Sequence, residues 1–139
     1  MQRIEIDHDF TKPVERVYAH LAEHENLGPL LGAKVSRVRD GDAERNGVGS
    51  VRALRVAVFP PFEETVTEAI ENELICYRIT KGSPLRDHHG EMRFTPQGTG
   101  SHLRYVIEFG AAVPGIDRLV KLSLERSIRA NLPNVDAQA

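Results

Sequence analysis

The sequence has 139 residues, 40% of them hydrophobic and 27% charged, an ordinary globular composition and long enough for one domain with a single core. The formal net charge is −2, and lysines and arginines are scattered along the chain, which argues against a nucleic-acid-binding protein. No apolar run approaches the roughly 18 residues of a membrane span, and the N-terminal residues lack the apolar segment of an export signal. The single cysteine, Cys76, excludes an internal disulfide, so we expect a reducing, cytoplasmic setting.

The first part of the chain predicts one strand followed by two helical segments. Residues Arg3–Phe10 alternate between two faces, one of them acidic, which is typical of a strand. Pro13 suits the first turn of a helix, with Thr11 or Lys12 as its cap. Apolar side chains then recur at helical spacing, at Val14, Val17, Tyr18 and Leu21. The following ENLGPLLG segment predicts a short helical turn that glycine and proline interrupt.

Six strands and one long helix are predicted for the rest of the chain. The strands cover Lys34–Arg39, Val48–Val58, Phe62–Ile70, Leu74–Thr80, Arg86–Thr95 and Ser101–Phe109. The last four of them form two hairpins, because turn sequences separate each pair. The helix runs from Pro114–Gly115 to about Leu132, and its apolar stripe consists of Ile116, Leu119, Val120, Leu124 and Ile128.

This order of elements predicts an α+β fold. Strands that are joined by hairpins give a mainly antiparallel sheet, which cannot bury its inner face alone. The last helix is the long apolar element that remains to cover the sheet. A strongly curved sheet around one helix leaves a gap between them, and such a gap is a natural pocket for a small molecule.

Strand alternation predicts which side chains face this gap. In the segment LRDHHGEMRFT, Met92 and Phe94 must face the core, so His88 faces the core as well and His89 faces solvent. A bulge at Gly90 would break this rule. The same alternation turns further strand residues inward, namely Val51, Ala53, Arg55, Glu64, Val66, Glu68, Ile70, Ile75, Tyr77, Leu103, Tyr105 and Ile107. On the last helix, small side chains beside the apolar stripe leave room under the sheet, at Ser123 and Ser127.

Several of these residues suit chemistry in a pocket. His88 is the candidate for proton transfer, since imidazole donates, accepts and titrates near neutrality, and the alternative is a core-edge histidine that bonds a backbone group. Glu64 would be costly to bury alone, and Arg55 is its candidate partner. Tyr77 and Tyr105 either present hydroxyls to a ligand or form aromatic core. We expect no metal site, because neighbouring histidines on a strand diverge.

The chain resembles a known superfamily in four segments that follow one another in the right order. They are KPVERVYAHLAEHENLGPLL, NGVGSVRAL, EETVTEAIENELICYRITKGSP and DHHGEMRFTPQGTGSHLRYVIEF. The superfamily is START / polyketide cyclase (SRPBCC), and the likeness is greatest to its small bacterial polyketide cyclase/dehydrase branch. It implies a helix-grip fold, with about seven strands wrapped on the C-terminal helix, and a single ligand-binding domain over residues 1–139.

The resemblance also implies a cavity that binds an apolar or aromatic molecule, lipid- or polyketide-like. If the protein catalyses a cyclase- or dehydratase-type reaction, the acid–base group would be His88, and neither a metal nor a nucleotide cofactor would be needed. Because fold alone does not fix function, two alternatives stay open. They are a non-catalytic carrier or sensor of small molecules and a protein-interaction module whose cavity is incidental. We expect no nucleic-acid partner, and a homodimer stays open. The predicted ligand-binding residues are Tyr105, Tyr77, Glu64, Arg55, Met92, Phe94, Ile107, Ser123, Ser127 and Val120.

Overall fold

The computed structural model of the chain describes residues 1–56 and 59–139. Within these ranges the chain forms seven strands, three α-helices and one short 3₁₀ turn at His24–Asn26. The strands are β1 (Gln2–Phe10), β2 (Lys34–Arg39), β3 (Val51–Arg55), β4 (Phe62–Ile70), β5 (Leu74–Lys81), β6 (Leu85–Gln97) and β7 (Gly100–Ala111). The helices are α1 (Val14–Ala22), α2 (Leu27–Leu31) and α3 (Ile116–Gln138).

All seven strands form one antiparallel sheet in the order β1-β7-β6-β5-β4-β3-β2. The two edges of the sheet are β1 and β2, although only α1, the 3₁₀ turn and α2 separate them in sequence. This segment therefore crosses from one edge of the sheet to the other, and α1 contacts β6 and β7 on the way. The predicted α+β class and the helix-grip arrangement, with a sheet wrapped on the C-terminal helix, are confirmed.

The two halves of α3 differ in how they pack. Its second half is anchored in the core by Ile128, Leu132 and Val135, which are all buried. The carboxylate of Asp136 also accepts hydrogen bonds from the backbone N–H and the hydroxyl of Thr11, which ties the helix end to the β1–α1 loop. In the first half of α3 every residue is at least partly exposed. That half covers the sheet without closing tightly onto it.

Two predicted elements differ from the structure by more than two residues at an end. The predicted strand Val48–Val58 is shorter, since β3 covers Val51–Arg55, and residues 57 and 58 lie outside the described residues. The last helix continues through Pro133 to Gln138 instead of ending near Leu132. A proline inside a helix removes one backbone hydrogen bond. The burial of Val135 and the bonds of Asp136 hold the final turns in place despite that loss.

Among residues 1–56 and 59–139, none of the helices combines the length and the apolar character that a membrane crossing requires.

Candidate functional site: a cavity between the sheet and the C-terminal helix

A cavity of about 290 Å³ separates the sheet from the first half of α3. The helix contributes one wall, which includes Val120, Ser123, Leu124 and Ser127. The facing wall comes from strands β3 to β7 and from the loop before β6, and its side chains are mostly apolar: Leu54, Phe62, Ile79, Leu85 and Phe109, with Tyr77, Glu64 and His88 among them. The predicted gap between sheet and helix is therefore present, and it is mostly apolar with a few polar side chains.

The three predicted helix residues, Val120, Ser123 and Ser127, all border the cavity. Ser127 uses its hydroxyl to donate a hydrogen bond to the carbonyl of Leu30, at 2.9 Å, so it joins α3 to α2. Gly32 directly after α2 adopts a left-handed conformation with φ of 65° and faces Ser127. A larger side chain at either position would narrow this end of the cavity.

Glu64 and His88 form the polar end of the cavity. Glu64 is 5% exposed and His88 is 7% exposed, and both line the cavity wall. Oε2 of Glu64 lies 3.8 Å from Nε2 of His88, which is too long for a hydrogen bond. The two polar atoms therefore face the same small space without binding each other.

The partner of Glu64 is Arg52, and the predicted pairing with Arg55 is wrong. Nε of Arg52 donates to Oε1 of Glu64 at 2.8 Å, and Arg52 is only 2% exposed. Arg55 is exposed and pairs in register with Lys34 at the sheet edge. The inward face of β3 is the one with Arg52 and Leu54, so Arg55 faces away from the cavity. Glu64 is thus neutralised by a buried guanidinium, as burial of a carboxylate requires.

The Arg52–Glu64 ion pair belongs to a buried hydrogen-bonded chain that sequence reasoning missed. Ser50 donates its hydroxyl proton to the carbonyl of Gly47 at 2.7 Å, so its oxygen accepts the Nε2–H of His24 at 2.9 Å. Nδ1 of His24 then accepts from Nη1 of Arg52 at 3.3 Å. His24 is fully buried, and burial, reinforced by the charge of Arg52, lowers its pKa to about 3. This neutral histidine fixes the orientation of the guanidinium.

The hydrogen bonds of His88 define its tautomer. The backbone N–H of Ile79 donates to Nδ1 of His88 at 3.0 Å, so Nδ1 carries no proton and Nε2 carries it. Burial lowers the pKa of His88, which keeps the ring neutral at pH 7. The Nε2–H group therefore points toward the space beside Glu64 as a hydrogen-bond donor.

Regular alternation with Gly90, Met92 and Phe94 places His88 on the cavity wall, and a β-bulge lies directly before it. The register of β6 with β7 shifts between Arg86 and His89, and Asp87 adopts a φ of 51° that few residues other than glycine adopt. His89 is exposed, so the two neighbouring histidines face opposite sides of the sheet. The bulge falls just before the histidines and not at Gly90, where glycine had suggested one.

Gly90 instead leaves space for the ring of Tyr77. A side-chain carbon at Gly90 would overlap the Tyr77 ring, which lies directly over that backbone on the neighbouring strand. The guanidinium of Arg52 lies on the ring of Tyr77 as well, with its Cζ 4.6 Å from the ring centroid. Tyr77 borders the cavity, while its hydroxyl is hydrogen-bonded to the hydroxyl of Tyr105. Burial raises the pKa of both tyrosines, so both stay protonated.

Several residues that alternation assigned to the pocket lie elsewhere. Four of them belong to the packed core and not to the described cavity wall: Tyr105, Met92, Phe94 and Ile107. Two others are exposed, Glu68 and Ile70, because a bulge between Val66 and Glu68 turns the rest of β4 over. Alternation predicts which side chains face inward, but the inward face of the sheet extends beyond the cavity. Inward side chains near β1 and α1 therefore pack in the core and do not line the cavity.

The sheet, the helix packed across it and the mostly apolar cavity between them define a helix-grip protein with an internal cavity. A model of the polyketide cyclase / dehydrase and lipid transport family matches residues 1–139, so the chain belongs to that family. The likeness to START-type proteins that the sequence indicated is confirmed.

Solved structures with the same fold include three of different origin. A START superfamily protein from Mycobacterium smegmatis has a TM-score of 0.78 at 12% identity, covering 98% of this chain and 95% of its own. The Zhui aromatase/cyclase from Streptomyces sp. R1128 has a TM-score of 0.75 at 19% identity, covering 99% and 92%. A norcoclaurine synthase from Thalictrum flavum has a TM-score of 0.70 at 14% identity, covering 99% and 92%. No curated protein matches the sequence significantly. At these low identities the likeness shows a shared fold and nothing beyond it.

Proposed function

We propose that this protein binds a small apolar or aromatic molecule in the cavity between the sheet and α3. The observation that carries the proposal is a cavity of about 290 Å³ with apolar walls and two buried polar side chains, Glu64 and His88, at one end. Ligand sites combine these two features, because apolar walls supply affinity and a few polar groups fix orientation. The family description, which names polyketide cyclases and lipid transport, agrees with such a ligand.

The volume limits the size of the ligand. An engineered cavity of about 150 Å³ binds benzene, so a cavity of about 290 Å³ suits two fused rings or a chain of similar bulk. A larger ligand would have to move the first half of α3, which is the loosely packed half of that helix.

Binding can be tested with 2-tetralone, a bicyclic ketone, by isothermal titration calorimetry. We expect saturable binding to the wild-type protein. Val120→Trp should abolish it, because Val120 is half-buried on the cavity wall and the indole would occupy the ligand's space. Leu122→Trp is the matched control, since Leu122 lies two residues away on the same helix and is 63% exposed. Equal binding of 2-tetralone by both variants would overturn the proposal, as would failure of the wild type to bind either 2-tetralone or another bicyclic compound of the same shape.

Acid–base catalysis is the second candidate function, and the Glu64–His88 pair favours it. A ketone whose oxygen accepts the Nε2–H of His88 would place its neighbouring C–H group near Oε2 of Glu64. Glu64 would take the proton of that C–H group, the C–H electron pair would form the new C=C bond, and the π pair of the carbonyl would move to its oxygen. The Nε2–H of His88 would stabilise the resulting enolate oxygen. In this arrangement Glu64 moves the proton. His88 is the donor because its Nδ1 is occupied by the Ile79 N–H.

This second candidate predicts that the protein accelerates deuterium exchange at C1 of 2-tetralone in D₂O, which proton NMR follows directly. Glu64→Gln should lose the acceleration while 2-tetralone still binds. Glu68→Gln is the control, because Glu68 is exposed on the same strand. A wild-type rate equal to that of Glu64→Gln would leave a carrier or sensor as the function.

A further inference from the structure

We infer that the cavity selects an uncharged ligand that carries a hydroxyl group, a phenol, enol or alcohol, and that this hydroxyl bridges Glu64 and His88. The inference rests on the proposed ligand-binding function and names the class of ligand. It starts from the two polar atoms that face each other across 3.8 Å at the end of the cavity.

The two atoms have opposite hydrogen-bonding needs. Oε1 of Glu64 accepts from Arg52, which leaves Oε2 as an acceptor beside the cavity. Nε2 of His88 carries a proton, because Nδ1 accepts from the Ile79 N–H. A group between them must therefore donate to the carboxylate and accept from the imidazole.

A hydroxyl does both with one atom. Hydrogen bonds of the O–H···O and N–H···O types are about 2.8 Å and about 3.0 Å long. An oxygen at those distances from Oε2 of Glu64 and Nε2 of His88 is compatible with their separation of 3.8 Å. The ligand's rings would then extend from this point along the apolar walls, toward Val120 and Leu124 of α3.

Other polar groups meet this pair less well. A carboxylate would place a second negative charge beside Glu64, whose own charge Arg52 already neutralises. An ammonium would bind Glu64 but turn its own N–H groups toward the N–H of His88. A ketone would accept from His88 and leave Oε2 of Glu64 buried without a donor, which is costly. The charges of Arg52 and Glu64 cancel and His88 is neutral, so an uncharged ligand leaves the site balanced.

The test compares ligands of one shape on the wild-type protein: naphthalene, 2-naphthol, 2-tetralone and 2-naphthoate, each by calorimetry at pH 7. We expect 2-naphthol to bind about 10- to 100-fold more tightly than naphthalene, the size of effect that a hydrogen bond to a charged group gives. 2-Tetralone should fall between them, and 2-naphthoate should bind most weakly. Equal affinities for naphthalene and 2-naphthol, or preferred binding of 2-naphthoate, would overturn the inference.

Two variants assign the effect to the polar pair. His88→Leu should remove most of the advantage of 2-naphthol over naphthalene, and His88→Gln, whose amide N–H can replace the imidazole N–H, should restore part of it. Thermal unfolding of each variant verifies that it is folded, and the wild-type series decides the outcome if a variant is not. If none of the four compounds binds, the proposed function itself fails; if naphthalene and 2-naphthol bind equally, the hydroxyl assignment alone fails.

Discussion

Removing the charge of Glu64 should destabilise the fold more than removing the whole ion pair. Glu64→Gln preserves the shape of the side chain but leaves the guanidinium of Arg52, which is 2% exposed, without a counter-charge. Breaking a buried pair in this way costs about 3–5 kcal/mol. Arg52→Met should cost a similar amount, because it leaves a buried carboxylate uncompensated and takes the donor from Nδ1 of His24.

The double variant Arg52→Met/Glu64→Leu separates this charge effect from simple loss of packing. Replacing a buried ion pair by apolar side chains is often close to neutral, and the remaining cost here is the unpaired Nδ1 of His24, about 1–3 kcal/mol. The double variant should therefore be more stable than either single variant. Arg55→Met is the matched control and should change stability by less than about 0.5 kcal/mol, because Arg55 is exposed.

The free energy of unfolding of each variant can be measured by urea titration followed by far-UV circular dichroism, with the slope checked for constancy. The reasoning is refuted if the costs of the two single changes simply add in the double variant. It is also refuted if Glu64→Gln costs less than about 1 kcal/mol, since the pair would then be exposed to water in solution.

Two further predictions concern neighbours of this ion pair. Gly90→Ala should destabilise the protein by about 1–3 kcal/mol, because the new methyl group overlaps the Tyr77 ring. In a protein that already carries Tyr77→Leu, the same change should cost much less. Urea titrations measure both costs, and equal costs would refute the contact between the methyl group and the ring. The low pKa of His24, about 3, means that the unfolded chain binds this proton first as pH falls below 6.5, so His24 by itself should lower the free energy of unfolding by about 2 kcal/mol between pH 7 and pH 5. His88 adds to the decrease with the same sign, since its pKa is also lowered by burial. Urea titrations at both pH values measure this change. His24→Phe should reduce the dependence of the free energy of unfolding on pH, and the control His89→Gln, at an exposed position, should not. An unchanged pH dependence in His24→Phe would contradict the role given to His24.

The sheet was predictable because its strands are separated by recognisable turn sequences. The hairpins β4–β5 and β6–β7 and the final helix follow directly from turn residues and hydrophobic periodicity. The position of the cavity follows from the same order, since one long helix has to cover a sheet that curves around it. Periodicity could not reveal that α3 passes Pro133, because the bonds of Asp136 that hold the end come from a distant loop.

The side chains of the site were harder to predict because alternation alone decides them only on a regular strand. In the segment VRALR, one face of the strand carries Val51, Ala53 and Arg55, and the other carries Arg52 and Leu54. Each face holds an arginine and at least one apolar residue, so the sequence does not say which face is inward. The structure selects Arg52 and Leu54. Bulges at Thr67 and Asp87 then change the facing of neighbouring residues, and no alternation pattern encodes where a bulge falls. His24 had no signal of this kind, since its partners come from another part of the chain.

The most direct test of ligand binding in the cavity is a crystal structure of the protein grown with 2-naphthol. We expect the naphthalene rings between the sheet and the first half of α3, with the hydroxyl oxygen within hydrogen-bond distance of both Oε2 of Glu64 and Nε2 of His88. Rings bound outside the cavity, or a cavity closed by contact of Val120 and Leu124 with the sheet, would contradict the account.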